Sequence, residues 1–151
     1  MILADTNIFL EILLKQDKKK DCKDFLDRNA GNIHITDFSL HSIGVICFRY
    51  GKEEVFQKFI DDILPHVEIL TLPMDQYPEV IENKKNLNLD FDDSYQYTVA
   101  KYFDLKIATM DKDFKKVEDI EVLFLDEIEE TENAENEEEE NSTVEEPEGD
   151  V

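Results

Sequence analysis

Cysteine is scarce in this chain: Cys22 and Cys47 are the only two among 151 residues. Each sits in an apolar helical pattern, and neither has the spacing of a metal ligand. They read as buried free thiols, which suits a reducing cytoplasm. A disulfide between them stays open, but nothing in the pattern asks for one. Long apolar runs are also missing, so no membrane span is expected. The start, Met1-Ile2-Leu3-Ala4-Asp5, has no basic segment and meets a charge at once, so no secretory signal is expected. The reading is a soluble, cytoplasmic protein. No internal repeat is present.

Basic residues are wholly absent from the last part of the chain. Asp126 to Val151 holds fourteen acids and no Lys or Arg. That leaves 24 acids against all 16 bases in residues 1–125, about −8 of the total −22. From Glu129 onward only Ala134 and Val144 are apolar before the terminal Val151. Such a segment cannot bury enough surface to offset its conformational entropy, so residues 126–151 are expected to be a disordered acidic tail. The plain role for it is solubilising. A sharper one is an internal competitor for the lysines of the folded part.

Residues 1–125 hold enough sequence for one domain with a core. Short apolar runs alternate with helical patterns. Ile2-Leu3-Ala4, Ile33-His34-Ile35, Val67–Leu70, Lys106–Thr109 and Val122-Leu123-Phe124 read as strands. Helices are expected over 8–14, 17–29, 37–50, 53–64, 76–86 and 92–103, with a short turn at 111–115. Thr36 or Asp37 caps the third helix, Gly51 ends it, and Pro65 ends the fourth. The alternation implies an α/β fold: a three-layer α/β/α sandwich around a mostly parallel sheet.

Three acids fall at related places. Asp5 follows the first strand, Asp111 follows the fourth, and Asp93 opens a helix. In parallel α/β sheets, sites form at the carboxyl ends of strands and the adjoining helix N-termini. If strands one and four are neighbours, these carboxylates converge. Like charges at close range are costly unless a cation neutralises them, and oxygen ligands of this hardness suit Mg²⁺ or Mn²⁺. Any one of the three alone reads more simply as a turn residue or helix cap.

Asp5-Thr6-Asn7, Asp93 at the head of a helix running to Ala100, and Thr109-Met110-Asp111-Lys112-Asp113-Phe114 resemble the PIN domain, with the nearest likeness to small VapC-type toxins. The resemblance covers residues 1–125. It implies a metal-dependent endoribonuclease, the toxin of a toxin–antitoxin pair. By position, Asp5, Asp93 and Asp111 would bind Mg²⁺ or Mn²⁺ and serve catalysis, with Thr6, Asn7 and Thr109 supporting them. Asp113 is an outer ligand or a cap of the short helical turn. The same resemblance implies an RNA substrate, a homodimer and a cognate antitoxin.

PIN domains usually carry a further Glu in the helix after strand two. That place is Ser42 here, and no Glu occurs between Ile35 and Lys52. His41 or Asp37 could compensate in part, although His41 reads first as a packing residue and Asp37 as a cap. Two classes of function follow: a ribonuclease with an altered metal site, or a catalytically inactive PIN-like module that binds RNA or protein. A phosphatase or receiver-like domain fits less well, because the fourth strand leads to Thr109-Met110-Asp111 rather than to a Lys. Basic clusters are small: Lys18–Lys20, Lys84-Lys85, and Lys112 with Lys115-Lys116. The last lies beside the acids and is the best placed for phosphate.

Overall fold

A computed structural model describes residues 1–125; the tail 126–151, expected to be disordered, lies outside the described residues. Five strands form one sheet: β1 (Ile2–Ala4), β2 (Ile33–Thr36), β3 (Glu68–Leu70), β4 (Lys106–Thr109) and β5 (Val122–Phe124). Their order is β3-β2-β1-β4-β5. All four ladders are parallel, with Leu3 opposite both His34 and Ile107. The chain leaves β1 toward β2 on one side and later returns to its other side as β4, so the order reverses between β1 and β4.

Among the described residues six α-helices cover the sheet: α1 (Thr6–Leu13), α2 (Lys19–Arg28), α3 (Asp37–Arg49), α4 (Glu53–Lys58), α5 (Tyr77–Leu87) and α6 (Phe91–Phe103). The strands divide their side chains by alternation. Ile2, Ala4, Ile33, Ile35 and Ala108 face one core with Phe9 of α1, Phe25 of α2, and Ile43 and Cys47 of α3. Leu3 and Ile107 face the other, with Val80 of α5 and with Tyr95, Val99 and Ala100 of α6. This is the α/β/α sandwich expected from the sequence. Both cysteines are free and buried, and burial pushes the Cys22 thiol up to about 11. Among the described residues no helix is long and apolar enough to cross a membrane.

Helix ends follow local chemistry. Thr36 is the N-cap of α3: its hydroxyl accepts from the Ser39 N–H at 3.0 Å. Gly51 follows that helix with φ +64°, a conformation glycine adopts without strain. The helix expected over 53–64 is shorter. It is α-helical only to Lys58, widens into a π-turn at Phe59–Ile63, and tightens into a 3-10 turn at Leu64–His66. Pro65 has no N–H for the carbonyl four residues back, so the regular ladder cannot run through it.

One helix matters most for position. Every residue of α6 from Asp93 to Ala100 is buried. The Tyr95 hydroxyl donates to Asp37 Oδ1 at 2.7 Å and accepts from the Leu72 N–H at 3.1 Å. Asn83 of α5 donates to Thr98 at 2.9 Å. These ties hold α6, and with it Asp93, against the carboxyl end of the sheet.

Candidate metal centre

The site lies where the strand order reverses, at the carboxyl ends of β1 and β4. Asp5 stands at the N-cap of α1, yet its side chain makes no capping bond. Instead Oδ1 accepts from Gln96 Nε2 at 2.9 Å, and Oδ2 accepts from the Thr109 hydroxyl at 2.7 Å. The Thr109 oxygen in turn accepts from the Asp111 N–H at 2.9 Å. Asp111 Oδ1 then accepts from the Asp113 N–H at 2.9 Å, so Asp111 caps the 3-10 turn Lys112–Lys116. A chain of hydrogen bonds therefore runs from the end of β1 to the loop after β4.

Asp93 enters from the first turn of α6. Ligand oxygens of Asp93, Asp111 and Asp113 all lie within 4.8 Å of one another. Asp93 also stands with Asp90 and Asp92, both exposed, at the same helix start. Asp5 and Asp93 are only 3% and 6% exposed. Burial, then Asp92, Asp111, Asp5 and Asp113, push the Asp93 carboxyl up to about 7. Burial likewise raises Asp5, opposed by the donors from Gln96 and Thr109. A cleft of about 380 Å³, lined by Asn7, Leu10, Leu14, Met110 and Asp111, opens beside this cluster.

The donor set fits a hard divalent cation. It is made of carboxylate oxygens with no sulfur among them, close enough to share one ion. The buried Gln96 Oε1, a further hard oxygen, has no donor among the described residues. The sequence model of the PIN domain matches residues 2–120.

The chain belongs to the PIN-domain family.

No curated protein sequence matches it. Its fold is similar to that of a toxin–antitoxin complex from Klebsiella pneumoniae, at 18% identity and a TM-score of 0.68, covering 83% of this chain and 98% of that one. It is also similar to VapBC2 from Rickettsia felis bound to a promoter DNA fragment, at 20% identity and TM-score 0.69, covering 81% and 97%. A third likeness is to VapC20 of Mycobacterium tuberculosis, a toxin that cleaves the sarcin-ricin loop, at 13% identity and TM-score 0.67, covering 76% and 93%.

Within this PIN domain the named residues take different places. The fold brings Asp93, Asp111 and Asp113 into one cluster, while Asp5 meets it through Gln96, Thr109 and its charge coupling to Asp111. Thr6 donates to Ser39 at 2.7 Å and so ties α1 to α3 rather than to an aspartate. Asn7 is exposed on the cleft. Ser42 is half-buried and His41 exposed, and neither shares a hydrogen bond or ion pair with the acids among the described residues. Asp37 is held by Tyr95 and the Phe38 N–H. Gln96 escaped the sequence reading. The one signal in the residues was an amide three positions after Asp93, on the same helix face.

Proposed function

We propose that this PIN domain is a divalent-metal-dependent endoribonuclease, cytoplasmic, and the toxin of a toxin–antitoxin pair. The observation that carries the proposal is the gathering of Asp93, Asp111 and Asp113 oxygens within 4.8 Å at the strand switch point, with Asp5 beside them. Asp5, Asp93 and Asp111 would hold Mg²⁺ or Mn²⁺, and Asp113 would add an outer oxygen in a site where Ser42 offers no carboxylate. When bound, such an ion supplies Lewis acidity toward phosphate and lowers the pKa of a bound water. The chain's own residues then orient and exclude. Gln96 and Thr109 fix the Asp5 carboxylate on both oxygens. The buried wall of α6 keeps bulk water from Asp93.

RNA would meet the site's outer edge. Lys112 is exposed next to Asp111 and Asp113 and serves a phosphate. Phe91, 57% exposed at the head of α6, offers a ring face to an unstacked base. The remaining partners of this reading are a second copy of the chain and a cognate antitoxin. A groove of about 830 Å³ between α2 and α4, with Ile12, Leu13, Leu26 and Val55 in its floor, suits an amphipathic partner segment.

Metal-dependent cleavage of RNA by the wild type and by Asp5→Asn tests the proposal. Cleavage by the wild type that Asp5→Asn loses supports it; equal activity in both sinks it. One observation favours a second reading, an inactive PIN-like binding module: Ser42 stands where the family usually has Glu. Calorimetry with no uptake of Mg²⁺ or Mn²⁺ would select that module.

A further inference from the structure

Gln96 is 1% exposed, and burying an amide is costly unless it is hydrogen-bonded. Its one hydrogen bond among the described residues goes to Asp5, 91 positions away in the chain. Among the described residues nothing else meets its polar end. Its other end, Oε1, is buried with no donor among the described residues. A leucine or methionine would fill the same volume beside Val99 and Ala100 without that penalty. The polar end therefore serves the carboxylate, not the packing of α6.

We propose that Gln96 is the positioning residue of the metal centre: its Nε2 sets the orientation of the Asp5 carboxylate. The inference rests on the metal-centre reading given above. The geometry explains why an amide is needed rather than a second carboxylate. Asp5 Oδ1 needs a donor, which an ionised carboxylate cannot supply and the amide NH₂ can, while the amide oxygen remains an acceptor. Thr109 performs the matching task on Oδ2 from β4. The two donors come from different layers of the sandwich, so the carboxylate is clamped between the sheet and α6. Gln96 and Asp93 lie one turn apart on that helix. A single rigid element thus places one carboxylate and orients another, and the ends of β1 and β4 place the rest.

The test uses the full-length chain with Gln96→Leu and Gln96→Glu. A crystal structure of metal-free Gln96→Leu reads the positioning directly. Asp5 turned away from its orientation against Thr109 supports the proposal; Asp5 unmoved overturns it. Gln96→Glu keeps size and polarity and reads the same point if Gln96→Leu does not fold. At a pH high enough to ionise the new carboxylate it cannot donate to Asp5, so the Asp5 carboxylate is expected to move there too. Mn²⁺ titration calorimetry should show affinity in Gln96→Leu weakened by ~10–100-fold, as for other groups that orient a ligand. Unchanged affinity overturns the proposal even if the variant melts at a lower temperature. If the wild type itself takes up no Mn²⁺, the nuclease reading fails, and the metal-free structures still decide what Gln96 does.

Discussion

The two sides of the acidic centre are built differently. The inner wall, from β1, β4 and α6, holds Asp5, Asp93, Gln96 and Thr109, all buried. The outer rim, from the loop after β4 and the head of α6, holds Asp111 half-buried and Asp90, Asp92 and Asp113 exposed. On the wall, each Asp5 oxygen has a dedicated side-chain donor. On the rim, Asp111 mainly caps its own turn. Burial amplifies charge on the wall and water screens it on the rim. The wall is therefore the strained, pre-set half of the site, and the rim is the adjustable half.

The largest expected effect concerns pH. Asp93 is raised to about 7 in the fold, against an ordinary 3.8. The folded chain thus binds this proton more tightly than the unfolded one. Its contribution to stability is complete below about pH 4 and is lost as pH rises through 7. Metal-free protein should lose up to about 4 kcal/mol from Asp93 alone across that window, with Asp5 acting in the same direction. Urea unfolding of wild type and Asp93→Asn measures it. The variant should show a flatter pH profile, and parallel profiles would break the contrast between wall and rim.

Next in size is the metal itself. Asp93→Asn should weaken Mn²⁺ binding by at least ~100-fold, more than the loss of any group that only orients a ligand. Calorimetry on the full chain reads this directly. In wild type, Mn²⁺ should also reduce the fall in stability toward pH 7, because a cation offsets the carboxylate repulsion on the wall.

Tyr95→Phe examines how the wall is held. It removes the donor to Asp37 and leaves the Leu72 N–H without its acceptor. A loss of about 1–3 kcal/mol is expected in chemical denaturation. The same variant should weaken Mn²⁺ binding less than Asp93→Asn does, because Tyr95 touches no acid of the centre. The smallest effect belongs to the rim. Asp113→Asn keeps the backbone N–H that the Asp111 carboxylate caps and removes only a screened charge. Mn²⁺ affinity should fall no more than ~10-fold, with melting unchanged within the ~0.5 kcal/mol usual for surface substitutions. An Asp113 effect as large as that of Asp93 would mean that the rim is no less essential than the wall.

Local chemistry made much of the fold legible in the residues. β4 and β5 have the bounds read from their apolar runs, and Thr36 caps α3 through its own hydroxyl. These depend on neighbours one to four positions apart. The helix over 53–64 was read too long because Pro65 acts on the turns before it, not only at the residue where it stands. The acids at 5, 93 and 111 were legible as types at strand and helix ends. Asp113 was legible as a choice between ligand and cap.

Tertiary structure alone decided which of these acids meet. That Asp5 and Asp111 share one end of the sheet follows from the adjacency of β1 and β4, which lie about a hundred residues apart in sequence. The cost of charge on Asp93 follows from the burial of Asp93–Ala100 within α6, a property of packing and not of the segment. Gln96 gained its meaning only from Asp5, because a hydrogen bond across 91 residues leaves no periodicity behind. The sequence determined by itself which side chains could bind a cation. The fold determined which of them were desolvated, since the dielectric around a carboxylate is set by its surroundings.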